Sequence, residues 1–388
     1  RFICLFSGRR DSFHGVHRRN RTRAHGYHPA MTSGPASSDP ATRRRGLGGM
    51  TPSGRAIVPA SWVTYDFANT IFSFAVVSGA IGLYLVSDDR FGERDGNALL
   101  SIVIVISVGL NALVSPILGA FSDRGAGRMP FLLFFTVLCV LATFFIADVP
   151  AAAGVLLFIL ANFTYQAALI YYDALLKVVS YPATRGRLSG IGVGIGYFGT
   201  VFVGLLIAGL VVPVEDRFRL TAVLFALFAV PIFLFVREPH SGGPAVTAAD
   251  IRDSFGQLKR SIAHAREVPG LGRFLLGRFF YADAVNTVIV VMSVVSVKVF
   301  GLSDNETVYV LLSLTLVAIA MSFVWGWLAD RIGPKRTLVI VLISWSVGLL
   351  IGGLAMGVGG GGFVLFLVAG GILGSGLGGV QVADRVLM

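Results

Sequence analysis

The chain has 388 residues, 55% of them hydrophobic and only 14% charged, with a mean hydropathy of +0.77. That is too little polar surface to cover a water-soluble globule of this size. A formal net charge of +11 invites a nucleic-acid reading, but eleven Arg against two Asp within residues 1–56 account for +9 of it. The basic balance belongs to a tail rather than to a binding face, and no nucleic-acid partner is expected. The tail, Arg1 to Arg55, is rich in Arg, Ser, Gly and Pro and holds four of the six His. Its composition predicts disorder. A transit peptide or a His-rich metal tract shares parts of it, and a native start at Met31 or Met50 is the simplest account.

Ten apolar runs of membrane-crossing length follow, near Val58–Val86, Asn97–Phe121, Pro130–Ala147, Ala151–Leu176, Leu188–Val212, Leu220–Val236, Leu271–Val297, Thr307–Leu328, Thr337–Met356 and Phe363–Ala383. Lipid offers backbone groups no partner, so these runs are predicted to be helices of an all-α membrane protein. Lys and Arg fall mainly in alternate connections: the tail, Arg124/Arg128, Lys177/Arg185/Arg187, the central linker, Arg331/Lys335/Arg336 and Arg385. This asymmetry places the N-terminus on the cytoplasmic side. The expected organisation is a tail at 1–56, a six-helix bundle at 57–236, a linker at 237–270 and a second bundle at 271–388. Within the linker, Thr247 and Asp250 have capping-box spacing, and Ile251, Phe255, Leu258 and Ile262 follow at helical intervals. A short helix lying on the inner membrane surface is expected there, or else a solvated linker helix. Cys4 and Cys139 make no disulfide framework.

The two halves repeat. Asp66 corresponds to Asp283, Asp123 to Asp330 and Asp173 to Asp384, at offsets of 217, 207 and 211 residues. Neighbouring words match as well: Tyr65-Asp66-Phe67-Ala68-Asn69-Thr70 against Tyr281-Ala282-Asp283-Ala284-Val285-Asn286-Thr287. In the first half 63 residues separate Asp173 from Val236, whereas four follow Asp384. A faithful duplication therefore predicts that the last two spans of the second half are missing here.

An ionisable side chain inside a membrane is costly unless it faces a partner or water, so each such Asp is a site candidate. Asp66 and Asn69 share one helix face, as do Asp283 and Asn286. Asp66 lies eight residues in from Val58, about 12 Å along a helix. That depth fits a gate or structural pairing somewhat better than solute contact or proton coupling. Asp173 and Lys177 have i, i+4 spacing, and a surface pair is the preferred reading. Asn162, Tyr165 and Gln166 cluster near the middle of the fourth span and are better candidates for lining a solute path; Arg278 is a loosely spaced partner for Asp283. Gly194-x-Gly196-x-x-Gly199 has the letters of a dinucleotide fingerprint without its strand or its acid. With Gly190 and Gly192 it reads instead as small residues four apart that let spans pack closely. No zinc spacing, phosphate loop or serine elbow is present, so no metal, cofactor or enzymatic activity is expected.

The repeated loop Gly-x-x-x-Asp-Arg-x-Gly-x-(Lys/Arg) occurs at Gly119, Asp123, Arg124 and Arg128, and again at Gly326, Asp330, Arg331, Lys335 and Arg336. It resembles the cytoplasmic loop signature of the major facilitator superfamily. The resemblance implies two six-helix halves with internal inverted repeats, about ten spans being present here, and a cytoplasmic latch made by this loop, with Asp384 and Arg385 added. The alternative is that Arg124, Arg128, Lys335 and Arg336 only enforce topology.

Ser61-Trp62-Val63-Thr64-Tyr65-Asp66-Phe67-Ala68-Asn69, Tyr165-Gln166-Ala167, Tyr171-Tyr172-Asp173, Arg187-Leu188-Ser189-Gly190-Ile191-Gly192 and Gly379-Val380-Gln381 resemble a narrower group. It comprises the fungal vacuolar amino-acid effluxers of autophagy and their uncharacterised bacterial members. This likeness implies a monomeric secondary transporter of a small polar solute, amino acids among the choices, working by alternating access; protons as a coupling ion are a separate expectation that rests on Asp66, Asp283 and Asp173. The solute and coupling candidates are Tyr65, Asp66, Asn69, Asn162, Tyr165, Gln166, Asp173, Tyr281, Asp283, Asn286 and Gln381. The reading from another class is a non-transporting membrane receptor or scaffold, or an inactive fragment.

Overall fold

The computed structural model describes residues 52–121, 127–238, 270–358 and 362–387. The tail, the loop residues Asp123 and Arg124, the linker helix proposed around Thr247 to Ile262, and the side chains of Asp283 and Asn286 lie outside the described residues. The first span is α1 (Pro52–Phe72), a π-helical stretch at Ser73–Ala80, and α2 (Ile81–Val86). The remainder of the first half is α3 (Gly92–Phe121), α4 (Met129–Phe144), α5 (Ala151–Val179), α6 (Arg185–Gly209) and α7 (Val214–Phe235). The second half holds α8 (Leu271–Lys298), α9 (Asp304–Ile332), α10 (Pro334–Val358) and α11 (Phe363–Leu387).

Among the described residues nine helices are long and apolar enough to cross a membrane, matching nine of the ten apolar runs. The remaining run forms the 28-residue α8. Several helices run past the apolar stretches that announced them. α3 starts five residues before Asn97, and α7 starts at Val214, with Glu215 and Asp216 in its first turn where they suit the positive end of the helix dipole. Helices that alternate in direction bring the start of α1, α4 and α6 to the same end as the finish of α3, α5, α7, α9 and α11. That end carries Arg128, Arg185, Arg187, Arg237, Arg331, Lys335, Arg336 and Arg385, and is the basic end below.

Within the first half α1 is the hub. It packs along α6 on one side and α7 on the other, and α5 closes against α3 and α4. Trp62, Tyr65, Ala68 and Phe72 of α1 are fully buried, as are Tyr171 and Tyr172 of α5. The second half has a smaller core around Trp325, Val341, Trp345, Leu373 and Ala383, where α11 packs on α9 and α10.

α6 joins the halves, and its glycines explain how. Gly192, Gly196 and Gly199 lie against Trp62, Thr70 and Phe67 of α1, whereas Gly186, Gly190 and Gly194 lie against α9 of the other half. A Cβ on Gly190 would sit 2.4 Å from the Ser322 carbonyl oxygen, and one on Gly326 would sit 2.6 Å from that of Gly186. The letters that resemble a dinucleotide fingerprint are thus two small-residue faces of one helix, each admitting a neighbouring backbone.

Candidate functional site

Between the halves lies a cavity of about 290 Å³. Asp66, Asn69, Thr70 and Ser73 of the first span line it on one side and Tyr165, Leu169 and Asp173 of α5 on another, with Val193 and Tyr197 from α6 and Gln381 and Arg385 from α11. Chain direction orders these residues. From Asp66 to Ser73 on α1, from Asp173 to Tyr165 on α5, and from Arg385 to Gln381 on α11, each element leads away from the basic end. The cavity therefore extends toward the opposite end, and Asp66, Asp173 and Arg385 form its floor.

The floor is an ion network across the halves. Arg385 of α11 donates to both carboxylate oxygens of Asp66, Nη1 to Oδ2 at 2.8 Å and Nη2 to Oδ1 at 3.3 Å. Its Nε lies 2.9 Å from Asp173 Oδ1, an ion pair whose angle falls short of a hydrogen bond. The side chains are only 13%, 7% and 30% exposed for Arg385, Asp66 and Asp173. A forked guanidinium suits this arrangement because it can serve two carboxylates at once.

Two aromatic rings complete the surroundings of that guanidinium. Trp62 and Tyr172 stack at 4.7 Å with planes 10° apart, and each is fixed by the other's backbone: Trp62 Nε1 donates to the Tyr172 carbonyl and the Tyr172 hydroxyl donates to the Trp62 carbonyl, both at 3.1 Å. The Arg385 guanidinium carbon stands 5.3 Å from the Trp62 ring centre and 5.4 Å from that of Tyr172, within range of a cation–π attraction. Above the floor Asn69 is 2% exposed, and neither its Oδ1 nor its Nδ2 has a hydrogen-bond partner among the described residues. A buried amide normally finds one; this one faces the cavity.

Other predicted site residues go elsewhere. Tyr65 is buried against α4, its hydroxyl 2.6 Å from Thr136 Oγ1. Asn162 donates to Ser107 Oγ at 2.7 Å, and Gln166 Oε1 accepts from Asn111 at 3.4 Å, so these two amides tie α5 to α3 instead of lining the solute path expected of them. Asp173, read as half of a surface pair with Lys177, meets Arg385 of the other half. Arg278, read as a loose partner of Asp283, forms a bidentate bond to Asp384 at 3.0 and 2.9 Å, and Tyr281 adds its hydroxyl to the same carboxylate at 2.6 Å. The i, i+5 spacing in the sequence could not reveal that pairing, because α11 returns beside α8 only in the fold.

The repeated loop separates into distinct roles. Asp330, at the end of α9, accepts from the Gly186 and Arg187 backbone N–H groups at 2.7 and 3.1 Å, and Arg187 Nε approaches it at 3.2 Å. One carboxylate thus caps the start of α6 and closes the basic end across the halves. Arg331 stacks on Trp327 at 4.1 Å, and Lys335 and Arg336 are exposed. The loop glycines Gly127 and Gly333 have φ of +73° and +90°, a region an L-residue occupies at a cost. Glu238, just beyond α7, accepts from the backbone of Arg128 and of Met129 (3.1 Å) and so caps α4. Trp62, Tyr172, Tyr197 and Ser73 also belong to the site. Trp62, one helical turn before Asp66, and Tyr172, next to Asp173, stood beside an acid in the sequence; Ser73 and Tyr197 carried no such signal.

The profile of a family described as vacuole effluxer Atg22 like matches residues 90–182 and 177–388. An uncharacterized MFS-type transporter of Bacillus subtilis strain 168, YxiO, is 28% identical over 313 residues, covering 74% of this chain and 71% of that protein. Among solved structures, the human organic anion transporter MFSD10 superposes with a TM-score of 0.62 at 18% identity, covering 87% of this chain and 91% of its own. FucP, a major facilitator superfamily transporter captured in its outward conformation, gives 0.61 at 13% identity over 86% and 88%. The proton:xylose symporter XylE gives 0.54 at 14% identity over 86% and 84%. At such identities these structures share the fold, and their solutes are their own.

Proposed function

The chain belongs to the vacuole effluxer Atg22-like family of major facilitator transporters, and from that premise we propose that it moves a small polar solute by alternating access through the cavity above Asp66. One observation carries the reading. The cavity is closed at the basic end by a buried network, Asp66–Arg385–Asp173, whose members come from opposite halves. Charges that pair only while two rocking bodies touch are a switchable closure, and the same motion exposes them to solute and water. Asp330 on the α6 start and the glycine contact of α6 with α9 supply the rest of that closure.

Cavity size and lining favour a solute with several hydrogen-bonding groups, and amino acids are the class the resemblance to vacuolar effluxers brings forward. With the basic end taken as cytoplasmic by the positive-inside rule, the conformation is closed inward and the N-terminus lies inside. A bacterial cytoplasmic membrane is the proposed location and a monomer the working unit. Proton coupling rests on carboxylates at a floor that changes partners as the halves part, Asp66 and Asp173 foremost.

The test is flux of radiolabelled amino acids in proteoliposomes with and without an imposed pH gradient. Wild-type flux should follow the gradient, and Asp66→Asn should lose both flux and gradient dependence. Flux indifferent to the gradient in both proteins removes the coupling, and undiminished flux through Asp66→Asn removes the site.

A further inference from the structure

Arg385 occupies a socket that the first half builds without help from the second. Trp62 and Asp66 come from α1, Tyr172 and Asp173 from α5, and reciprocal backbone hydrogen bonds lock the two rings face to face. Two carboxylates close on one guanidinium beside the stacked pair of rings, whose centres lie 5.3 and 5.4 Å from its carbon, and acids and aromatic rings together attract an ammonium or guanidinium group. Arg385 is therefore an intramolecular ligand as well as an ion-pair partner. When the halves part at this end, α11 takes Arg385 with it, and two acids at 7% and 30% exposure are left without their cation. Two neighbouring carboxylates that lose the cation they share repel each other, so an empty socket resists that motion. Beside the socket, the unpartnered amide of Asn69 faces the same cavity and offers a donor and an acceptor to whatever enters.

We propose that the Trp62–Asp66–Tyr172–Asp173 socket is a cation-recognition site, filled by Arg385 while the halves are closed and by the guanidinium or ammonium group of the solute when they are parted. This builds on the transport reading and gives the solute a required feature, a cationic group. It also links binding to motion. A cation that binds only the parted state shifts the equilibrium toward it by its affinity for that state, and so takes over the work that Arg385 does in the closed one.

The experiment empties the socket. Arg385→Gln keeps a polar stem but ends about two bonds short of the guanidinium nitrogens, and Arg385→Ala serves as a second variant should the glutamine distort the site. The full chain, purified in detergent, is unfolded thermally against increasing methylguanidinium, with sodium at matched ionic strength as the control. Methylguanidinium should raise the midpoint of either variant and leave wild type, whose socket is filled, unshifted. At ten times its dissociation constant the folded-to-unfolded ratio should rise about 11-fold. Adding Asp66→Asn to the variant should abolish the shift. No shift in either variant, or an equal shift in wild type or in the Asp66→Asn double variant, overturns the socket. In a second arm, wild-type flux in proteoliposomes should be inhibited by methylguanidinium; insensitive flux beside a positive thermal result overturns the assignment of the socket to the solute. Absence of any Asp66-dependent flux instead refutes the transport reading, and it leaves the thermal arm to be judged on its own.

Discussion

The two halves share a word and use it differently. Three residues before the shared tyrosine, the first half has Trp62 and the second has Arg278. In the second half Arg278 and Tyr281 both reach Asp384, so that acid is satisfied at home. In the first half the corresponding acid, Asp173, faces Trp62 and Tyr172 and takes its cation from Arg385 of the other half. The corresponding acids thus differ in where their cation comes from, and the position three before the tyrosine differs with them, Arg278 against Trp62. α1 is enclosed by α6 and α7, with Trp62 at 0% exposure, whereas α8 leaves Phe279 at 70% and Phe280 at 64% exposure among the described residues.

The sharpest way to break this comparison is to shorten an aromatic side chain on each first span. Trp62→Ala should cost about 3–5 kcal/mol, the range for a large buried aromatic, while Phe279→Ala should stay within about 0.5 kcal/mol. Thermal or denaturant unfolding in detergent measures both, and comparable losses would show that the halves are packed alike. Next come the acids. Asp66→Asn leaves the buried Arg385 short of a full partner and should cost about 3 kcal/mol. Asp384→Asn, opposite the 37%-exposed Arg278, should cost about 1 kcal/mol. The first should also abolish solute flux and the second only reduce it, as uptake by proteoliposomes can decide.

The contact between halves can be probed by volume. Gly190→Ala puts a methyl into the α9 backbone and should cost about 1–3 kcal/mol. Because the clash is across the halves, the basic end should open, read as faster labelling of a cysteine placed at Ser189; unchanged labelling would mean that α6 and α9 do not separate there. A modest effect is expected for Asp330→Ala. Losing a cap on the Gly186 and Arg187 N–H groups should cost about 1 kcal/mol. Hydrogen exchange should quicken at those two amides and not in the middle of α6, and uniform quickening would contradict the capping role.

Much of the architecture was legible because lipid enforces it. Long apolar runs between charges have to become helices, and the nine candidate spans fall on predicted runs. The small residues of α6 announced close packing, though not that one face meets α1 and the other α9. The site was less legible. Asp66, Asn69, Tyr165 and Asp173 stood out as polar residues in apolar surroundings, Gln381 only through the resemblance and Arg385 only as a loop charge, and all six line one cavity. Asn162 and Gln166 stood out by the same signal and only join α5 to α3. An intramembrane polar residue must find a partner, and a one-dimensional pattern does not say whether that partner is a neighbouring helix or a cavity.

Composition, run length and internal repetition thus settled by themselves that this is a duplicated helical membrane protein with acids kept inside it. The cost of burying polar backbone and charge in lipid leaves few alternatives. Only the tertiary structure decided which acid meets which base: Arg385 lies 319 residues from Asp66 and Arg278 lies 106 from Asp384. Such pairings depend on how helices return beside one another and on which aromatic or cation occupies a single position, Trp62 or Arg278. Electrostatic attraction acts over a few ångströms of space, and separation along the chain carries no record of it.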